Sequence, residues 1–198
     1  AISKVHIFYN QIMKFMRVNN LYIAITLSLL VAGSLCDIDC QINYNFKRYS
    51  QCDRAWANNR LGTSGTVCAM GCVVSALAMG MQPRDPGMTP GILNDYLLDN
   101  ELYLGNKFTW ESVEEVKELK TSPLMVKLKF EGITSDQNRI RGAICDQKIV
   151  LINVKNGGHW VLATGFTNEV YNVKDPGTDK HTYLATEVSR ASIYSFDN

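Results

Sequence analysis

The run IVLINVKNGGHWVLATGFTNEVYNVKDPG, residues 149–177, decides the fold. Ile149 to Val154 is rich in branched side chains, and so are the stretches Trp160 to Phe166 and Val170 to Val173. Such residues suit a pleated, half-buried surface. Gly157-Gly158 and Thr167-Asn168 separate the three runs, as in antiparallel hairpins. Upstream, Leu124 to Phe130 alternates after Pro123 and predicts another strand. Earlier still the pattern is helical. Gly71 to Met81 is dense in apolar and small residues, which predicts a buried helix ended near Pro83. Thr89-Pro90 supplies an N-cap followed by a first-turn proline. Ile92, Leu93, Tyr96 and Leu97 follow at helical spacing. A third, exposed helix is expected over Glu111 to Leu119 and a fourth over 136–146. Residues 41–68 are polar and turn-rich, with Leu61-Gly62-Thr63-Ser64-Gly65 expected as a flexible loop. Helices first and strands after predict an α+β fold, a helical half packed on an antiparallel β-sheet.

Length and composition fit one such domain. The chain has 198 residues, 46% hydrophobic and 20% charged, ordinary values for a protein with a real core. A formal net charge of +1 gives no electrostatic ground for nucleic acid or anionic lipid as a partner. There is no zinc-type pairing of Cys and His, no glycine-rich phosphate loop and no internal repeat, so no cofactor or metal is expected.

The first residues read differently. Lys14 and Arg17 precede an apolar run from Leu21 to Ala32, and Gly33, Ser34 and Cys36 follow. A basic region, an apolar core and small residues are the layout of a signal peptide. The apolar core is about a dozen residues, short of the roughly 20 that a spanning helix needs. Residues 1–36 are therefore expected to be leader and signal peptide and 37–198 the domain. The product would be secreted or delivered to an endomembrane compartment, without stable membrane association once the signal is removed. Five cysteines then remain: Cys40, Cys52, Cys68, Cys72 and Cys145. Two disulfides and one free thiol, at Cys72, is the economical reading in an oxidising compartment. The sequence leaves the pairing open, since four cysteines allow three connectivities.

Cys72 follows Gly71 and opens the buried helix. Backbone N–H groups and the dipole at a helix N-terminus favour a thiolate, the reactive form of cysteine. A buried structural cysteine is the plain alternative. His159 begins a strand just past Gly157-Gly158, where it can face that helix; His181, in a polar stretch, reads as a surface histidine. Asp175 ends the strand from Val170 and precedes Pro176-Gly177, a turn that fixes its place. A Cys nucleophile, a His base and an acid that orients the imidazole form a known route to acyl transfer.

The run Tyr49-Ser50-Gln51-Cys52-Asp53-Arg54-Ala55-Trp56-Ala57, Gly71-Cys72 opening a helix, Gly158-His159-Trp160-Val161-Leu162-Ala163-Thr164-Gly165 and Asp175-Pro176-Gly177 occur in this order. Together they resemble the stand-alone branch of cysteine peptidase family thirty-nine, papain-like peptidases that include bacteriocin-processing enzymes. The resemblance spans about residues 44–196. It implies a papain-like fold, a catalytic triad at Cys72, His159 and Asp175, and an oxyanion site formed by Gln51 with the Cys72 backbone N–H. A longer, cysteine-bearing insertion separates Gln51 from Cys72 than in the simpler family pattern. The expected activity is a thiol-dependent hydrolase that cleaves peptide bonds in a peptide or protein substrate. The alternatives are an amidase on cell-wall peptide amides and a catalytically silent peptide-binding module. The sequence sets no oligomeric state.

Overall fold

The computed structural model describes residues 39–115 and 128–196. In chain order these form β1 (Cys40–Gln41), a small hairpin of β2 (Arg60–Leu61) and β3 (Gly65–Thr66), and the helices α1 (Val67–Met70), α2 (Cys72–Met81) and α3 (Pro90–Asp99). A second small hairpin, β4 (Tyr103–Leu104) and β5 (Lys107–Phe108), leads into a 3-10 turn over Trp110–Glu115. Then come β6 (Leu128–Thr134), α4 (Gln137–Cys145), β7 (Ile149–Val154), β8 (His159–Thr167), β9 (Val170–Lys174), β10 (Thr182–Leu184) and β11 (Arg190–Phe196). Helices precede an antiparallel sheet, so the class is α+β.

The sheet runs in the order β10-β9-β8-β7-β11-β6. β7 pairs with the first half of β8, Val154 opposite His159 and Val150 opposite Ala163. β9 pairs with the second half, from Leu162–Lys174 to Thr167–Val170. β1 joins the far end of β8, Cys40 opposite Phe166. This offset matters for the site. β9 stops opposite Leu162, three residues in from His159, so Asp175 and its turn come to lie beside the unpaired start of β8.

α2 packs on β7 and β8. From Val73 to Met81 each of its residues is buried, as its all-round apolar sequence requires. Gly80 allows the close approach: a Cβ there would come within 2.6 Å of Ile149 Cγ2. Thr89 caps α3 as expected, its Oγ1 accepting from the Ile92 N–H at 3.2 Å.

Three expectations change, and one strand goes unforeseen. Residues 110–115 form a 3-10 turn, not the start of an exposed helix. Val113 and Ser112 are buried there, and residues 116–119 lie outside the described part. The strand expected from Leu124 begins, among described residues, at Leu128 and runs on to Thr134, past a register shift opposite Ile193/Tyr194. Residues 61–65 are not a loose loop but part of the β2–β3 hairpin; Asn106 Oδ1 accepts from the Thr63 and Ser64 N–H groups, both at 2.9 Å. Finally, β11 lies inside the sheet between β7 and β6. Its sequence, Arg-Ala-Ser-Ile-Tyr-Ser-Phe, lacks an apolar run because Ser192 is wholly buried among its neighbours. The leader expected over residues 1–36 lies outside the described residues. No helix among the described residues is long and apolar enough to cross a membrane.

Candidate active site

Two disulfides fix the cysteine question. Cys40 bonds Cys145 and Cys52 bonds Cys68, while Cys72 is free and half-buried. The first ties β1 to the end of α4. The second closes the polar segment 53–67 into a returning loop.

Cys72 is the first residue of α2, and the helix does not run straight through it. The Gly71 N–H reaches Val67 O at 2.8 Å and the Ser75 N–H reaches Gly71 O at 2.9 Å. Between them the helix is interrupted at Gly71. The Cys68 carbonyl, which an unbroken helix would offer to the Cys72 N–H, accepts the Gln51 side-chain Nε2–H instead, at 2.6 Å. The Cys72 N–H is left as one of the free donors of a helix first turn. Gln51 therefore sits beside the Cys72 turn despite the insertion. The 53–67 loop brings the chain back, and the bridge from Cys52 to Cys68 holds it. Gln51 Oε1 is buried without a partner among the described residues.

His159 opens β8 and is 8% exposed. β8 is an interior strand, and the histidine sits at the strand's end. Its Nε2–H donates to Asp175 Oδ1 at 2.7 Å. The Cys72 side chain stands near enough to the same imidazole to help raise its pKa. With Nε2 committed to Asp175, the nitrogen left for the thiol is Nδ1. Gly177 packs against the ring: a Cβ there would stand 3.0 Å from His159 Cε1.

Asp175 is wholly buried, and its carboxylate is filled with donors. Oδ1 also accepts from the Gly177 N–H at 2.7 Å and the Thr178 N–H at 3.1 Å. Oδ2 accepts from Thr178 Oγ1 and from Tyr183 Oη, each at 2.8 Å. Burial pushes this carboxyl up, but the donors from His159, Tyr183, Gly177 and Thr178 outweigh it and hold it well below the usual carboxylate range. For His159 burial pulls the imidazole down. The hydrogen bond to Asp175 and the nearness of Cys72 overcome this and raise it to about 9. Burial, then the adjacent carboxylate, drives the Tyr183 phenol well above its usual value.

Among solved structures, a provisionally assigned C39-like peptidase from Bacillus anthracis is similar to this chain, at 14% identity, over 82% of this chain and 98% of that one, with a TM-score of 0.48. No family model matches the chain, and no curated protein does.

All four residues singled out from the sequence are thus gathered around one helix terminus. His181 is exposed, as its polar setting implied. Alternation along β8 points Trp160 to the face opposite His159, where its ring lies tilted against Trp110 with centroids 4.7 Å apart. Three residues that sequence reasoning missed act on Asp175: Thr178, Tyr183 and Arg48. Thr178 was findable, since a threonine three residues past a turn aspartate is a common side-chain donor to it. Tyr183 and Arg48 carry no local signal.

Proposed function

We propose that the chain is a thiol-dependent hydrolase of peptide bonds, with a papain-like fold related to peptidase family thirty-nine. The observation that carries this reading is the hydrogen bond from His159 to buried Asp175 with Cys72 beside the imidazole, the one cysteine outside a disulfide among the described residues. His159 Nδ1 takes the thiol proton, and Cys72 Sγ attacks the substrate carbonyl carbon. The carbonyl π electrons move onto oxygen. In this reading the oxyanion is received by two donors, the Cys72 N–H and the second Nε2–H of Gln51, the first being held by Cys68 O. On collapse, the amine leaves with the proton from His159, and a thioester remains on Cys72. Water, deprotonated by His159, then attacks the thioester and releases the acid. Asp175 stays ionised throughout and holds the imidazole tautomer. The two disulfides support an oxidising, exported location for this chemistry.

The test is digestion of a proteome-derived peptide library by wild type and Cys72→Ala in parallel. Cuts made by wild type, abolished in Cys72→Ala and blocked by iodoacetamide, are expected. Peptides retained by the wild type but left uncut would sink the enzymatic reading.

A further inference from the structure

The chemistry above makes no use of Arg48, yet its side chain is fully committed. Nε donates to the Asp175 carbonyl at 2.8 Å, and Nη2 donates to the Thr178 carbonyl at 2.8 Å. Nη1 lies 3.0 Å from the Asp179 carboxylate. Three residues on, the Gln51 N–H donates to the Pro176 carbonyl at 2.9 Å. Three carbonyls of the 175–178 turn are therefore held by the segment 48–51, more than a hundred residues away in sequence. Neither partner is a helix or a strand, so no ladder fixes their separation. One of them ends in Gln51 and the other begins with Asp175.

We propose that Arg48 is a positioning residue that locks the turn carrying the triad's acid onto the segment carrying the oxyanion donor, so that the two flanks of Cys72 are set by one clamp. The proposal rests on the roles given above to Cys72, His159, Asp175 and Gln51. Arginine is the side chain that this arrangement needs. Its planar guanidinium aims donors in a fixed fork, which here meets two carbonyls three residues apart. Lysine would keep the charge but not the fork. The ion pair with Asp179 is a side contact, because that carboxylate is 90% exposed and exposed pairs contribute little.

The experiment compares wild type, Arg48→Lys, Arg48→Ala and Asp179→Asn, each as the full exported chain. Amide hydrogen exchange is read at Gln51, Gly177 and Thr178, with Leu151 and Val161 as core references. The His159 imidazole is titrated by NMR, and Cys72 is alkylated with iodoacetamide at pH 6. In both Arg48 variants the three site amides exchange about tenfold faster while the references hold, a local rather than global opening. The His159 midpoint falls and alkylation slows several-fold. Asp179→Asn matches wild type. Arg48→Lys behaving as wild type, Asp179→Asn reproducing the effect, or all five amides speeding up together would each overturn the clamp. A His159→Ala control separates the two readings. If it alkylates like wild type the triad falls, whereas the exchange pattern still decides whether Arg48 joins the two segments.

Discussion

The two flanks of Cys72 are built by opposite means. On the strand side, Asp175 draws its donors from its own neighbourhood: Gly177, Thr178 and Tyr183 all lie within eight residues. Once β8, β9 and β10 pair, the acid and the histidine are in place. On the helix side, Gln51 has no such local frame. Its backbone reaches Pro176, its side chain reaches Cys68, and its neighbour Cys52 is covalently bound to Cys68. The strand side is set by folding alone; the helix side also needs oxidation. In the proposed mechanism the first flank governs how readily Cys72 becomes a nucleophile, and the second how well the bond-making step is stabilised. Apart from Arg48, which ties the two together, changes on one flank should therefore leave the other's readout alone.

The largest effects come from the shared centre and the strand side. Cys72→Ala and His159→Ala should each lower cleavage of library-derived peptides by about ten thousandfold or more, because neither group has a substitute within reach. Asp175→Ala should lower it by about a thousandfold and leave a remainder, since that residue orients but exchanges no proton. In His159→Ala, iodoacetamide should also alkylate Cys72 more slowly at pH 6. Equal alkylation rates in the two proteins would break the strand side of the comparison.

Gln51→Ala sharpens the contrast. Loss of one oxyanion donor should cost about a hundredfold in kcat, while the alkylation rate stays at the wild-type value, because alkylation develops no oxyanion. A parallel loss of both rates would show that Gln51 works through the thiol instead.

A milder effect should follow from opening the staple. The double variant Cys52→Ser, Cys68→Ser frees the loop that returns Gln51 to the helix. Turnover should drop by about tenfold, again with alkylation unchanged, and stability should fall by about 3 kcal/mol from the loop entropy restored to the unfolded chain. Denaturant melts and kcat, measured on the same samples, give both numbers. Unchanged turnover would mean that the hydrogen bonds to Pro176 and Cys68 hold Gln51 unaided.

The smallest expected effect is a slope in stability against pH. The His159 imidazole is raised from an ordinary 6.5 to about 9 in the folded protein. Its contribution is fully present below about 6.5 and is lost as pH rises through about 9. Asp175 is depressed, so its contribution holds above the ordinary carboxylate value and is lost only as pH falls through its lower folded value. Thermal midpoints should therefore decline between pH 6.5 and 9 in wild type and decline less in His159→Gln. Identical slopes would deny the imidazolium a partner.

Much of this was readable before any coordinates. Cys72 after a glycine, His159 after a turn and Asp175 before Pro176 each carry a local signal, and local signals survive into the fold. The hairpins around β8 were legible for the same reason. What was hidden depends on distance along the chain. Which cysteine meets which is not a local property, and neither is the meeting of Arg48 with Asp175. β11 was hidden by its own serines: Ser192 hides the strand pattern, although the surrounding sheet buries it. The 3-10 turn at 110–115 was misread because its charged residues have helical spacing, while Ser112 turns inward and its Oγ bonds the Thr109 carbonyl.

The bridge between Cys40 and Cys145 spans 105 residues, and the second bridge is nested inside it. A cut at any peptide bond between these two positions leaves two pieces that are still one molecule. Such a nicked form runs as a single band until reductant is added, and as two afterwards. It also keeps β1 tied to the end of α4. The long bridge thus writes tolerance of a cut chain into the topology.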